Sequence, residues 1–271
     1  MFKINNLTYQ YDKTRKALDN VSMDFNKGNI IGIIGSNGSG KSTLFNNLMG
    51  ILKSTEGEIL YNGEQIKYGK KSLYNLRKEV GIVFQDPEKQ IFYSMVYDDI
   101  AFALRNIGID EKTIKERIHT ALEAVNGLQF IDRPVHNLSF GQKKRVAIAS
   151  VVAMENKLVL LDEPTAGLDP ISTRAIVDII KGLNKRGVKI VISSHDMNLI
   201  YEICDYVYVL NQGVLINEGT REEVFINEEK IDEAGLELPW LVKLHKNMGL
   251  PLFTREEDLY SYWDHREQKT V

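Results

Sequence analysis

Residues 35–42 have the types and spacing of a phosphate-binding loop. In "NIIGIIGSNGSGKST" an apolar, strand-like run leads to Gly35, Gly40, Lys41 and Ser42 in the pattern Gly-x-x-x-x-Gly-Lys-Ser. Glycines let the backbone turn so that successive N–H groups meet phosphate oxygens, and the following helix adds its positive end. The pattern predicts a site for a nucleoside triphosphate, with Lys41 at the β- and γ-phosphates and Ser42 on Mg²⁺.

Two adjacent carboxylates follow another apolar run. In "LVLLDEPTAGLD", Asp162 and Glu163 come at the end of a predicted strand, where open α/β sheets bind their ligands. An aspartate there can coordinate Mg²⁺, and a neighbouring carboxylate can orient or deprotonate an attacking water. We therefore expect Asp162 to be the metal ligand and Glu163 to be the catalytic base.

Two further polar side chains close predicted strands. Gln85 ends "VGIVFQ", and His195 follows "KIVISS". A glutamine can hold a metal-bound water and a histidine can donate to a γ-phosphate, which suits a site that senses the last phosphate. Each of the two residues, taken alone, is also consistent with an ordinary polar strand end.

A second segment of phosphate-contacting types starts at Leu138. "LSFGQKKRVAIAS" begins with Ser139 and Gly141 and continues with apolar residues at helical spacing, namely Val146, Ile148, Ala149 and Val152. The positive N-terminal end of such a helix favours an anion. Since residues 35–42 already provide one phosphate site, this segment raises the question of what a second one serves.

These residues need a sheet that brings several strand ends together. The β-rich runs cover Phe2–Tyr9, Val21–Phe25, Ile30–Ile34, Glu58–Tyr61, Val80–Phe84, Leu158–Asp162, Lys189–Ser193, Tyr206–Leu210 and Val214–Glu218. Helical spacing is found in Asp98–Met154, Ile171–Leu183 and Met197–Ile203. The alternation of strands and helices predicts an α/β fold with a central parallel sheet and a helical insert.

The composition favours a globular protein that does not grip nucleic acid. The chain has 271 residues, of which 43% are hydrophobic, and a formal net charge of -3, which argues against a general phosphate-backbone binder. The single cysteine, Cys204, cannot form an internal disulfide and is expected to be buried in a protein of a reducing compartment. No apolar run reaches the roughly 18 residues that span a bilayer, so we expect a soluble chain that meets a membrane only through partners.

The ordered set of these segments closely resembles the nucleotide-binding subunit of ABC transporters. The match runs over about residues 2–220 and rests on the phosphate loop, Gln85, "LSFGQ", Asp162–Glu163, "GLD" at 167–169 and His195. The resemblance implies an α/β P-loop NTPase fold of the ABC ATPase type. That fold has a mixed sheet core, an antiparallel β subdomain, a helical insert at about 86–156 and here a small C-terminal appendage at 221–271. The family also implies two such domains docked head to tail, with each ATP between the phosphate loop of one chain and the signature segment (Leu138–Gln142) of the other.

Carried over by position, the resemblance implies a role for each matching residue. Gln85 contacts Mg²⁺ or water and senses the membrane subunits, Asp169 is a dimer contact and His195 is the switch histidine. Tyr11 stacks on adenine, with Tyr9 as its rival. The residues that wrap the phosphates are Gly35, Ser36, Asn37, Gly38, Ser39, Gly40, Lys41, Ser42 and Thr43 from one chain, met by Ser139, Gly141 and Gln142 from the other.

Within the family, "FQDPEKQIF", "LSFGQKKRVAIAS" and "LDEPTAGLDP" look most like the ATPases of energy-coupling factor importers, which carry transition-metal ions or vitamins into prokaryotic cells. "EAGLELPWLVKL" at 233–244 resembles the appendage of the cobalt and nickel members. The resemblance implies a peripheral ATPase at the cytoplasmic face of the cell membrane. Its partners would be a transmembrane coupling protein, a substrate-binding component and a second ATPase, either identical or paralogous. The alternatives are a vitamin importer, a soluble ABC ATPase acting on nucleic acid or ribosomes, a phosphate-loop kinase and half of an exporter.

Three segments depart from the family pattern or extend it. Phe140 stands where the family has glycine, so its side chain must point away from the phosphate or limit the approach of the signature segment. Ile91–Val96 is rich in Phe, Tyr and Met, which suits either a docking groove for a partner helix or the core of the helical insert. The apolar part of the appendage is expected to pack against its counterpart in the other chain or against its own domain.

Overall fold

Two β-sheets form the framework of the molecule. The structure is a computed structural model that describes residues 1–12 and 15–267. In chain order the strands of this part of the chain are β1 (Phe2–Gln10), β2 (Lys16–Asp24), β3 (Ile30–Ile34), β4 (Glu56–Tyr61), β5 (Glu64–Gln65), β6 (Val80–Val83), β7 (Leu158–Asp162), β8 (Lys189–Ser194), β9 (Tyr206–Asn211) and β10 (Val214–Thr220). The smaller sheet has the order β2-β1-β4-β5 and is antiparallel, and the larger has the order β10-β9-β3-β8-β7-β6.

The larger sheet is mixed, because β10 pairs antiparallel with β9 while the other neighbours are parallel. Every residue of β3 and β7 is buried, as expected of strands covered on both faces. In the register, Ile34 lies opposite Ser194 and Asp162 lies opposite Ser193. The phosphate loop, the carboxylate pair and His195 therefore all leave the sheet at the same edge.

Helices cover both faces of the larger sheet. They are α1 (Lys41–Leu48), α2 (Lys70–Glu79), α3 (Val96–Asn106), α4 (Glu111–Ala124), α5 (Phe140–Ala153), α6 (Pro170–Lys185), α7 (Met197–Ile203), α8 (Arg221–Ile226), α9 (Glu228–Glu233), α10 (Trp240–Met248) and α11 (Glu256–Glu267). The apolar face of α1 packs in one core with the smaller sheet and one face of the larger. Helices α3 to α7 share the other core. No helix among the described residues is long and apolar enough to cross a membrane.

The sequence analysis found most of these elements and missed those without an apolar pattern. Helix α7 and strands β3 and β7 have the predicted bounds, and Cys204 is buried as expected. Helix α2 was missed because "KKSLYNLRKE" has only one buried residue, Leu76. Strand β5 was missed because both of its residues are exposed.

The C-terminal appendage packs against its own domain. Phe225 stacks edge-on against Tyr201 of α7 at 5.6 Å between ring centroids, and Ile231, Leu241 and Val242 are buried in the same core. Exposed apolar side chains also remain on this segment, namely Ile226, Met248, Tyr260 and Trp263. The buried side of the appendage thus packs on its own domain, as one of the two expectations had it. The contact with a second chain and the domain boundary after residue 220 stay predictions.

Strand β6, which leads to Gln85, has no room for a side chain at Gly81. A Cβ there would lie 2.2 Å from Val151 Cγ1 and 2.6 Å from Asn156 Oδ1. We expect Gly81→Ala to lower the free energy of unfolding by about 1–3 kcal/mol, since overpacking forces its neighbours to shift. The measurement is thermal or urea unfolding of the purified protein.

Gly182 in α6 provides the matched control for Gly81. Apart from its chain neighbours and the backbone of its own helix, no described residue lies within 4 Å of the Cβ that alanine would add there. Because alanine is the better helix former, Gly182→Ala should raise the stability by about 0.5–1 kcal/mol. Equal unfolding midpoints for Gly81→Ala and the unchanged chain would contradict the packing at β6.

Candidate active site

A polar cavity opens at the edge of the larger sheet where the predicted residues emerge. Its volume is about 590 Å³. The predicted residues that line it are Tyr11, Asn37, Gly38, Ser39, Gly40, Lys41, Ser42, Thr43, Gln85, Glu163 and His195. The structure therefore brings together residues from distant parts of the sequence around one space of the size of a small ligand site.

The phosphate loop adopts a backbone that requires glycine at its two ends. Gly40 has a φ of +108°, and a Cβ there would lie 2.7 Å from the carbonyl oxygen of Ala17. A Cβ on Gly35 would lie 2.2 Å from the carbonyl oxygen of Leu210. Ser39 also lines the cavity, and its hydroxyl is buried without a hydrogen-bond partner among the described residues.

Lys41 is held at the floor of the cavity by the loop itself. Its Nζ donates to the carbonyl oxygens of Gly35 at 2.7 Å and Ser36 at 3.2 Å, and it lies 3.9 Å from Glu163 Oε1. Burial lowers the pKa of Lys41, while the Glu163 and Asp162 carboxylates act in the opposite direction. A cation placed in this way offers its charge to a phosphate group without a large rearrangement.

Glu163 lies between two partners in a strained backbone conformation. Its φ is +47°, a left-handed value that costs a non-glycine residue on the order of 1–3 kcal/mol. Its backbone N–H donates to the carbonyl oxygen and the hydroxyl of Ser193, each at 3.1 Å. Its Oε2 lies 2.8 Å from His195 Nδ1, while Oε1 faces Lys41. The carboxylate is therefore buried against the loop, whereas the His195 side chain is 60% exposed.

Asp162 lies behind the cavity wall and does not line it. Ser193 Oγ donates to Asp162 Oδ1 at 2.5 Å, and the side chain is buried. The described residues contain no cluster of three or more His, Cys, Asp or Glu side chains suited to a metal ion. Of the predicted metal ligands, Ser42 and Gln85 line the cavity and Asp162 lies behind its wall, and oxygen donors of this kind fit Mg²⁺.

The signature segment begins a helix that does not line this cavity. Ser139 caps α5, since its Oγ accepts from the Gln142 N–H at 3.3 Å while Gln142 Oε1 accepts from the Ser139 N–H at 3.0 Å. This capping box leaves the Ser139 hydroxyl hydrogen as a donor. Asp169 likewise caps α6 by accepting from the backbone of Ile171 and Ser172, and hydrogen bonds from Ser172 keep its pKa low. Ser139, Gly141, Gln142 and Asp169 thus form a separate group of predicted residues.

Phe140 points away from the start of α5 toward the segment after Glu163. A Cβ on Gly167 would lie 3.5 Å from Phe140 Cε1, and the Lys144 ammonium lies 5.6 Å from the centroid of the ring. The ring remains partly exposed. The two expected outcomes for this bulky side chain, pointing away from the phosphate and limiting the approach of the signature segment, both stay predictions.

Sequence reasoning missed part of the cavity and one buried cation. Arg15, Lys16 and Gln212 line the cavity without having been predicted, and the adjacent basic residues after Tyr11 were the available signal. Lys144 is 1% exposed and donates from Nζ to the Glu163 carbonyl oxygen at 2.7 Å. Burial lowers the pKa of Lys144 to about 8 against the opposing effect of nearby carboxylates. Nothing in the sequence marks this lysine, because it stands in a run of polar and basic residues.

The family model for ABC transporters matches residues 18–166, a range that contains the phosphate loop, Gln85, the signature segment and the carboxylate pair. The chain belongs to the ABC transporter family. It is 45% identical over 269 residues to the cobalt import ATP-binding protein CbiO of Salmonella typhimurium, covering 99% of this chain and 97% of that protein. It is 42% identical over 248 residues to the energy-coupling factor transporter ATP-binding protein EcfA of Methanosphaera stadtmanae, covering 92% and 89%.

A solved structure supports the same family assignment. The structure titled cbiO1 from Clostridium perfringens, part of the ABC transporter complex cbiONQ, has a TM-score of 0.78 and 41% sequence identity. The alignment covers 90% of this chain and 98% of that one. This ABC protein is therefore an ATP-binding ATPase with the expected fold.

The geometry favours Tyr11 over Tyr9 as the residue that stacks on adenine. Tyr11 lines the cavity, is 64% exposed, and its hydroxyl lies 3.1 Å from Thr43 Oγ1, whereas Tyr9 packs against the core of the smaller sheet. A stacked base contributes about 1–3 kcal/mol. Tyr11→Ala should therefore raise the Kd for ATP on the order of 10-fold, as measured by titration with a fluorescent ATP analogue.

Two companion variants make the Tyr11 measurement specific. Tyr11→Phe keeps the ring and loses only the hydroxyl, so its Kd should stay close to that of the unchanged chain. Tyr9→Ala removes the rival ring. A larger loss of affinity for Tyr9→Ala than for Tyr11→Ala would reverse the assignment.

Proposed function

We propose that this ABC protein is the ATP-hydrolysing motor of an energy-coupling factor importer and that the importer carries cobalt. The observation that carries the proposal is the arrangement of Lys41, Glu163 and His195 around the cavity, in a chain whose near full-length relatives are named for this class. The CbiO relative supports cobalt, and its alignment includes the C-terminal appendage. Nickel and vitamins are the alternative cargoes.

The residues around the cavity divide the work of ATP hydrolysis. The backbone N–H groups of the phosphate loop and Lys41 bind the phosphates, and Tyr11 holds the base. Ser42, Gln85 and Asp162 are the residues that would hold Mg²⁺, which supplies charge neutralisation at the β- and γ-phosphates when bound. Glu163 accepts a proton from the attacking water. His195 contacts the Glu163 carboxylate and senses the γ-phosphate by donating a hydrogen bond to it.

Two copies of the ATPase are proposed to complete each other's sites. The signature segment carries a helix N-terminus with a hydroxyl donor, yet it does not line the cavity of its own chain. A second chain docked head to tail would bring this N-terminus to the γ-phosphate held by Lys41. The exposed residues of the appendage are a further proposed dimer contact, and the partner is either an identical chain or a paralogue.

A soluble ABC ATPase acting on nucleic acid or ribosomes is the second candidate. It would need a basic surface, whereas the chain has a net charge of -3. A phosphate-loop kinase would have no use for the signature segment or for His195. We therefore favour a motor that acts through membrane partners and associates peripherally with the cytoplasmic face of the membrane.

An aromatic face on the helical insert is the proposed docking site for a helix of the membrane subunit. Phe92 is 66% exposed and packs edge-on against Phe102 with 4.9 Å between ring centroids, and Tyr93 joins them at 5.2 Å from Phe92. Asp99 fixes this face because its Oδ1 accepts from the backbone N–H of Phe92 and Tyr93. A cavity of about 340 Å³ lies beside the two rings. Ile91 and Val96 belong to the core, so only part of the predicted segment is free for docking.

Glu163→Gln tests the catalytic assignment and the cargo together. The amide cannot accept a proton from water, so kcat for ATP should fall on the order of 10²–10⁴-fold while ATP binding persists and a closed dimer accumulates. Cells that depend on this variant should lose cobalt uptake, measured beside nickel and vitamin uptake. Glu155→Gln is the control, since Glu155 also has a positive φ but lies at the surface. Undiminished hydrolysis would refute Glu163 as the catalytic base. Loss of vitamin uptake alone would refute cobalt as the cargo.

Phe92→Asp tests the docking face. A carboxylate in an apolar contact costs binding energy, so the variant should fail to co-purify with the membrane subunits while its Kd for ATP is unchanged. The matched control is Tyr74→Asp, because Tyr74 is an exposed aromatic residue on α2 outside this face. Equal recovery of the membrane subunits with both variants would show that docking takes place elsewhere.

A further inference from the structure

Lys144 is a buried cation whose ammonium group makes one hydrogen bond within the described part of the chain, and this bond joins two functional segments. It lies in the second turn of α5, the helix that the signature segment begins, and it is 1% exposed. Among the described residues its Nζ donates to the backbone carbonyl oxygen of Glu163 at 2.7 Å. Burying an ammonium group is costly unless its surroundings compensate. A lysine kept in such a place calls for an explanation beyond packing.

The acceptor of this bond belongs to Glu163, whose backbone and side chain are both held by neighbouring groups. The left-handed φ of Glu163 sets the direction of both its carbonyl and its side chain. The carbonyl is fixed by Lys144, and the carboxylate is fixed between Lys41 and His195. Rotation of the Glu163 backbone would therefore displace the carboxylate from these two partners. Misplacement of a reacting group by 1 Å can cost on the order of 10²-fold in rate.

The other end of the connection is the start of α5. Ser139 and Gln142 form the capping box that orders this helix end, and Phe140 places its ring below the Lys144 ammonium and against Gly167. A Cβ on Gly141 would lie 3.1 Å from Ser172 Oγ, so the helix also packs closely on the start of α6. A helix is a stiff element, and a shift at its capped end therefore reaches Lys144 within little more than one turn.

We propose that Lys144 is a positioning residue that holds the backbone of Glu163 from the signature helix and thereby couples the two ATP sites of the dimer. The coupling part rests on the proposed function. In the proposed dimer the signature segment of a chain serves one site while its Glu163 serves the other. When Ser139 contacts ATP at one site, a shift of α5 is transmitted through Lys144 and changes the position of the Glu163 carboxylate at the second site.

The positioning role is tested with Lys144→Met, which keeps most of the side-chain volume and removes the donor. We expect kcat to fall on the order of 10²-fold while the KM for ATP changes little, because Lys144 does not line the ATP cavity. Lys144→Arg retains a donor and should restore much of kcat. The matched control is Arg145→Met, since Arg145 lies on the same helix and donates to a different carbonyl oxygen, that of Asn126 at 3.1 Å.

The outcomes separate this proposal from the proposed function. If Lys144→Met hydrolyses ATP with the same kcat as the unchanged chain, the positioning role is overturned and the proposed function is not. If the unchanged chain itself has no ATPase activity, the proposed function is overturned. A parallel fall of kcat in Lys144→Met and Arg145→Met, matched by equal losses of thermal stability, would reduce Lys144 to a packing residue. If Lys144→Met does not fold, the decision falls to Lys144→Arg and Lys144→Gln, and the proposal requires kcat to be higher for arginine.

The coupling is tested with a double-mutant cycle. Ser139→Ala weakens the signature at the partner's site, and its effect on kcat should not combine multiplicatively with that of Lys144→Met, because both act through the same helix. With Arg145→Met the effects should multiply. If Ser139→Ala combines multiplicatively with both Lys144→Met and Arg145→Met, the coupling is overturned. The positioning of Glu163 is then still decided by the single variants of Lys144.

Discussion

The site depends on one constraint, the alignment of β3, β7 and β8 at their carboxyl ends. This alignment brings Glu163 into its ion pair with Lys41 and into contact with His195. Because these strands are parallel and neighbours, the phosphate loop, the carboxylate pair and His195 leave the sheet at one edge. Any shift in register would separate Lys41 from Glu163. The buried apolar residues of the sheet thus determine the distances on which the ATPase site depends.

The sequence predicts this edge well for physical reasons. Phosphate binding requires glycines and a lysine at fixed spacing, and Gly35 and Gly40 stand where a Cβ would strike backbone carbonyls. Strands buried on both faces are recognisable as continuous apolar runs, so the positions of Glu163 and His195 at strand ends followed directly. The mixed character of the sheet came from the family resemblance, since the apolar runs alone indicated a parallel one.

Features that depend on tertiary contacts could not be predicted in this way. Helix α2 is mostly polar, and its place is set by the burial of Leu76, by Leu73 against the same core and by hydrogen bonds from Arg77 to the Met49 carbonyl oxygen. Lys144 has the sequence context of an exposed lysine, and only the fold places its ammonium group over the Phe140 ring and against Glu163. The fold likewise brings the Phe140 ring against Gly167, while Phe140 stays 40% exposed.

The central claim is that each ATP site is shared between a phosphate loop and the signature segment of another chain. The most direct measurement mixes two inactive variants, Lys41→Ala and Ser139→Arg, and records ATP hydrolysis as their ratio is varied. A mixed dimer then contains one site with an intact Lys41 from one chain and an intact Ser139 from the other, so activity should appear on mixing and be greatest near equal amounts. Absence of activity at every ratio, with mixed dimers detected by differential tagging, would contradict the shared site.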